Sequence, residues 1–206
     1  MSRSNDKYEN KRNELSKEIF DIFIKYGYEN TTLSLIVKEL NISKGAFYHY
    51  FATKEACADA AVSLYAKDCY QKVTGQINGK LPAEVNLKNL IISCIELFKE
   101  NEMKLESINT TSNAIFHQKL MVALVKTLAP LYAKIIEQGI QEKIFETEHP
   151  LETAEMILTL TNFYFDADLF GWEPKEMPTK LKAFDNFLTN ALKAKPGLLS
   201  FLHHFE

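Results

Sequence analysis

The sequence predicts an all-α chain in two parts, an N-terminal three-helix domain over 1–54 and a larger helical domain over 55–206, and three observations carry that prediction. Apolar residues recur at i, i+3, i+4 and i+7 along most of the chain, while no stretch alternates apolar and polar residues as a half-buried strand does. Turn-forming residues gather at a few places, Gly27, the Gly75/Gly79/Pro82 stretch, Pro150 and the run GWEPKEMP, and set the helix limits. A hydrophobic content of 46% over 206 residues is ample for a core, yet no run of 18 or more apolar residues is present.

The first helix is expected over about 10–26, with Leu15, Ile19, Ile22, Phe23 and Tyr26 on one face and Gly27 as a left-handed stop. A second, over 32–40, has Thr32 as N-cap and one apolar stripe of Leu33, Ile36, Val37 and Leu40. After a tight turn at Asn41, Ser43 caps a third helix over 43–50, in which Phe47 and Phe51 point inward and Lys44, Gly45, Ala46, Tyr48 and His49 stay outside. A glycine in a first helical turn costs about 1 kcal/mol against alanine, so an exposed Gly45 needs a reason. Close approach to a base edge or phosphate supplies one, and the Lys, Tyr and His around it are donors to such groups.

A fourth helix begins after Thr53, whose hydroxyl can cap it with Glu55 near the positive end, and runs to about residue 74. The Gly75/Gly79/Pro82 break separates it from a helix containing LKNLIISCIELF. The polar run NEMKLESINTTSN reads as a loop or short helix before a long helical pattern over 117–141, which Pro130 should kink or divide. EKIFETEHP is a loop, and Pro150 suits the first turn of a helix over 151–170. A last helix follows over 177–194, and the purpose of the tail KPGLLSFLHHFE is not legible.

The run SKGAFYHYF, preceded by TTLSLIVKELNI and by the amphipathic stretch ending in KYGYEN, resembles the helix-turn-helix domain of TetR-family regulators. The likeness covers about the first quarter of the chain; beyond it, length and helical layout agree. It implies a DNA-binding transcriptional regulator, a repressor released by a small effector, that binds a pseudo-palindromic double-stranded operator as a homodimer. By the same resemblance Lys44, Gly45 and His49 approach bases, Ala46 meets a thymine methyl, and Thr32, Ser43, Tyr48, Tyr50 and Lys54 hold phosphates. The family often has a basic residue near position 34, where this chain has Ser34, so the resemblance does not carry over a charged phosphate contact at that position.

The apolar character of 151–170 on nearly all sides implies partners on two sides. The resemblance places the dimer there, with Ile157, Leu158, Thr161 and Tyr164 packing with Phe184, Phe187 and Leu188 across a two-fold axis. It also implies a cavity in the body. Tyr65, Cys69, Phe98, Met103, Phe116, Met121, Phe163, Tyr164 and Trp172 are candidate walls for an apolar or aromatic ligand, and Asn109, Asn113, His117 and Asn162 candidate anchors; plain core is the competing reading of each.

The net charge of −3 is unevenly placed: residues 1–54 hold nine Lys+Arg against seven Asp+Glu, and 55–206 fifteen against twenty. A weakly basic reader on an acidic body suits a protein that releases DNA readily. Cys57, Cys69 and Cys94 form an odd set without CxxC spacing, which argues for a reducing compartment. Neither a signal peptide nor a membrane span is evident, so a cytoplasmic protein is expected. No HExxH, GxSxG or Walker run occurs, so no enzyme, metal or cofactor is expected. The rival reading keeps the fold and the DNA contacts but acts through protein partners instead of an effector.

Overall fold

A computed structural model describes residues 3–100, 108 and 110–197, and every regular element among them is helical. Helix α1 (Arg3–Tyr26) starts earlier than its apolar spacing predicts, because the spacing marks only the buried part: Leu15, Ile19, Phe20, Ile22 and Phe23 face inward, while most of the turns before them are exposed. It ends at Gly27, whose φ of +81 is left-handed and whose amide still donates to the Phe23 carbonyl. Helices α2 (Leu33–Glu39) and α3 (Lys44–Tyr50) follow, then α4 (Lys54–Thr74), where the Thr53 hydroxyl accepts the Ala56 amide at 3.0 Å. Helix α5 (Ala83–Glu100) comes next.

A short 3-10 turn, Thr111–Asn113, leads straight into α6 (Ala114–Gln141), which Pro130 does not divide. A proline inside a helix costs about 3 kcal/mol. Here Leu128, Ala129, Leu131, Tyr132, Ala133, Ile135 and Ile136 are all buried on both sides of it, and about 1.5–3 kcal/mol per large apolar side chain outweighs that cost. The helix expected over 151–170 is two: α7 (Pro150–Tyr164) and the short α8 (Ala167–Phe170). The Asp166 carboxylate accepts the Leu169 amide at 3.0 Å, a cap that starts a new helix instead of continuing the old one. A 3-10 turn, Pro174–Glu176, precedes α9 (Met177–Ala191).

The chain packs as two compact units. The first takes residues to Asp68 together with 98–124, and the second takes 69–97 together with everything from Val125. The first unit therefore extends well past residue 54. Tyr65 of α4 stacks on Phe20 at 4.7 Å, Phe116 of α6 meets Phe20 and Phe23 at 5.3 and 5.0 Å, and Lys17 pairs with Asp68 at 3.3 Å.

In the second unit Leu87, Leu90, Leu128, Ile135, Ile136 and Leu192 form much of the core, and Gly139 lies so close to Phe145 that a Cβ there would sit 2.0 Å from its ring. Ile157 and Leu158 (2% exposed each), Phe184 (6%) and Leu188 (1%) belong to this core as well. They were expected at a dimer interface, but burial within one chain leaves them no face for a partner. Helical periodicity marks an apolar face without saying what covers it. The apolar residues that do remain exposed on α7, α8 and α9 include Met156, Phe163, Leu169 and Phe187.

Candidate nucleic-acid interface

The interface is built from two capped helices and the turn between them. The Thr32 hydroxyl accepts the Leu35 amide at 3.2 Å and the Ser43 hydroxyl accepts the Ala46 amide at 3.1 Å, so both caps are formed as their sequence positions require. Each hydroxyl keeps its own proton, which can be donated outward to a phosphate oxygen. The turn passes through Asn41 at φ +51, a left-handed conformation that asparagine tolerates better than most residues. Ile36, Leu40, Phe47 and Phe51 are buried and fix the two helices at their inner sides.

Packing of Phe47 and Phe51 leaves Lys44, Gly45, Tyr48 and His49 exposed on the outer side of α3, with Ala46 half-buried between them. Tyr48 is 55% exposed, with its ring edge-on to the buried Phe47 at 5.6 Å. Gly45 has no internal reason to be a glycine: a Cβ on it would meet nothing nearer than the Ser43 Oγ at 3.9 Å. Its backbone is thus open to whatever approaches α3 from outside. Tyr50 is turned partly inward and stacks on Tyr8 of α1 at 5.0 Å.

Lys54 departs from expectation. Its ammonium donates to the Tyr28 carbonyl at 2.7 Å and the Thr31 carbonyl at 3.0 Å, and lies 4.2 Å from the centre of the Tyr28 ring. A flexible cation read from sequence as a phosphate ligand is instead a strap across the turn that enters α2. A Lys54→Met chain is expected to lose about 1–3 kcal/mol of stability, seen as a lower melting temperature, with the salt dependence of DNA binding unchanged. An unaltered melting temperature with a flatter salt slope would return Lys54 to the phosphates.

The same turn is gripped from the other side. The Tyr28 amide donates to the Asn113 Oδ1 at 2.7 Å, the Glu29 amide to the Ser112 carbonyl at 2.9 Å, and the Thr31 hydroxyl to the Gly27 carbonyl at 2.6 Å. Asn113 and Phe116, expected to line a ligand cavity, are 1% and 0% exposed and serve this bracing role, which leaves them no surface for a ligand. Phe116 packs on Phe20, Phe23 and Tyr28. Burial pushes the Tyr28 hydroxyl above its ordinary pKa, in keeping with a ring inside a core. Lys119 of α6 pairs with Asp59 at 2.7 Å and Glu55 at 3.1 Å, and the Asp59 hydrogen bond is the main cause of its raised pKa.

The other expected ligand residues are divided. Tyr65, His117 and Met121 are half-buried in the first unit, whereas Cys69 (buried), Phe163 (53% exposed) and Trp172 (half-buried, its indole N–H on the Tyr164 carbonyl at 2.8 Å) belong to the second. Phe98, Met103 and Asn109 lie outside the described side chains. Burial pushes the Cys57 thiol up to about 12, so it is an inert core group rather than a reactive one.

Tyr8, Asn113 and Lys119 were not singled out by sequence as parts of the reader. The only signal for Tyr8 was an aromatic residue in an otherwise polar stretch, and Asn113 and Lys119 carry none, since their partners lie dozens of positions away.

Two family models match the chain, one described as bacterial regulatory proteins of the tetR family over residues 17–72 and one as the tetracyclin repressor-like C-terminal domain over 96–187. The chain belongs to the TetR family. It is therefore a DNA-binding transcriptional regulator of the helix-turn-helix type and not an enzyme. Among its relatives, the HTH-type transcriptional regulator YhgD of Bacillus subtilis (strain 168) is 25% identical over 158 residues, which is 76% of this chain and 81% of that protein. YerO of the same organism is 34% identical over 95 residues, covering 45% of this chain and 32% of YerO. Among solved structures, a TetR-family transcription regulator from Shewanella sp. PV-4 shares the fold at a TM-score of 0.60 and 16% identity, covering 88% of this chain and 97% of that one. The flavonoid-responsive regulator FrrA does so at 0.62 and 15%, covering 91% and 99%. Among the described residues no helix is long and apolar enough to cross a membrane, and no group of His, Cys, Asp and Glu is placed to hold a metal ion.

Proposed function

We propose that this TetR-family regulator is a cytoplasmic repressor that binds a pseudo-palindromic operator as a homodimer and is released by a small, largely apolar effector. Residues 1–54 act as the reader, and 55–206 as the effector and dimer body. The observation that carries the reading is the outer side of α3, where Lys44, Gly45, Tyr48 and His49 are exposed while Phe47 and Phe51 are buried. Two such helices about 34–36 Å apart enter successive major grooves on one side of a duplex. The exposed apolar residues of α7 to α9, Met156, Phe163, Leu169 and Phe187 among them, support a partner copy on the second unit. Asn162 supports a polar anchor for an effector or a partner, because its buried amide nitrogen has no acceptor among the described residues. An effector acts only through a difference in its affinity for the DNA-bound and released states, and a coupling of about 1–3 kcal/mol changes operator affinity about 5–150-fold.

The test is selection of binding sites from a random duplex library, followed by comparison of wild type with Gly45→Ala on the selected duplex. Alanine at an unobstructed helical position stabilises α3 by up to about 1 kcal/mol. Gly45→Ala should therefore melt no lower than wild type yet bind the operator more weakly. Equal binding would remove Gly45 from the contact surface, and failure to select any sequence would remove the reader itself.

A further inference from the structure

We propose that Tyr8, in the early turns of α1, is a positioning residue that holds His49 for base readout; the inference rests on the DNA-reading role of α3. Three rings meet at the C-terminal end of that helix. Tyr8 stacks on Tyr50 at 5.0 Å with 28° between planes, meets His49 edge-on at 5.3 Å and 85°, and donates its hydroxyl to the His49 carbonyl at 3.3 Å. His49 in turn lies edge-on to Tyr50 at 4.8 Å and 79°. Each ring touches the other two, so an imidazole that is otherwise exposed is held from two sides.

Nothing in the packing of α1 requires this arrangement. Residues 5, 6, 7, 9 and 10 around Tyr8 are exposed, and the helix is anchored by Leu15 and the residues beyond it. The early turns of α1 are thus an extension that meets the end of the reader through Tyr8 and, further along, through Arg12, whose guanidinium lies 5.5 Å from the centre of the Phe51 ring. An imidazole offers one N–H donor and one acceptor to base edges, and its selectivity depends on which way its plane faces. A side chain already oriented before binding loses less freedom on docking than one that must be immobilised. Tyr8 supplies that orientation without itself touching a base.

The experiment repeats random-duplex selection with wild type, His49→Ala, Tyr8→Leu, Tyr8→Gln and Tyr8→Phe, and measures each on the wild-type consensus duplex. Leu and Gln are good helix formers and should leave helical content and melting intact. His49→Ala is expected to relax one base-pair position in each half-site. Tyr8→Leu and Tyr8→Gln should relax that same position and weaken consensus binding about three- to tenfold, the scale of a lost aromatic pair. Each double variant with His49→Ala should bind no more weakly than His49→Ala alone, and Tyr8→Phe, which keeps the rings, should retain the wild-type preference. The inference is overturned if the Leu and Gln variants keep the wild-type preference, if they lose affinity equally for all sequences, if His49→Ala relaxes no position, or if Tyr8→Phe behaves like Tyr8→Leu. A wild type that selects no consensus sinks the DNA reading as well, a result separable from the others because it precedes every variant.

Discussion

Lys44→Ala with Tyr48→Ala is expected to abolish sequence-specific operator binding while leaving helical content, melting temperature and self-association as in wild type. Both side chains are exposed, neither takes part in the two caps, and Tyr48 meets the Phe47/Phe51 packing only from outside, edge-on to the Phe47 ring. A good base or charged phosphate contact is worth about 1–3 kcal/mol. Two of them, present in each reader of a dimer, amount to a loss on the order of a thousandfold or more in affinity. Titration of a labelled operator duplex at matched salt checks this, since salt alone moves such affinities over orders of magnitude. Affinity within a few-fold of wild type would mean that another surface carries the reading.

The largest expected loss of stability comes from Gly27→Ala. At φ +81 an alanine is strained, and its Cβ would stand 2.4 Å from the Ser112 Oγ and 2.7 Å from the Ser112 Cβ. Ser112 cannot retreat alone, because its carbonyl holds the Glu29 amide and its neighbour Asn113 holds the buried Tyr28 amide. Relief of the clash parts the turn from the 111–113 segment and leaves at least one buried backbone N–H without its acceptor. Strain of about 1 kcal/mol and an orphaned donor at about 1–3 kcal/mol together give about 2–4 kcal/mol. In a chain of this size that lowers melting by about 5–15 °C. A Gly27→Ala chain that melts within a degree of wild type would show that the turn is not locked. Because the turn leads directly into Thr32, the cap of α2, operator binding should weaken as well.

Much of this was legible in the sequence, and the reason is locality. The caps at Thr32, Ser43 and Thr53, the stop at Gly27 and the inward Phe47 and Phe51 each depend on residues within one or two helical turns, where spacing and side-chain chemistry decide the outcome. The readings that failed depend on partners far along the chain. Lys54 reaches back to Tyr28, and Asn113 reaches Tyr28 across most of the first unit, so a cation and an amide that looked available to ligands are engaged inside the protein. The same limit applies to α7 and α9: the apolar pattern was right, but whether Leu158 or Met156 is the covered residue is decided by which neighbour packs there. At Asp166 a local signal was present and was overridden by the apolar run around it.

Helices α4, α5 and α6 each thread from one compact unit into the other, so the unit that carries α3 is assembled from two separated stretches of chain. Transplanting its binding preference onto a related regulator is therefore not a single cut-and-join operation. A donor segment ending after Lys54 would arrive without Phe116 and Asn113, and the host's own residues at those places would have to fit Phe23 and Tyr28. Engineers who exchange specificities in this protein need two splice junctions, or must confine their changes to the outward side chains of α3 and keep the native scaffold beneath them.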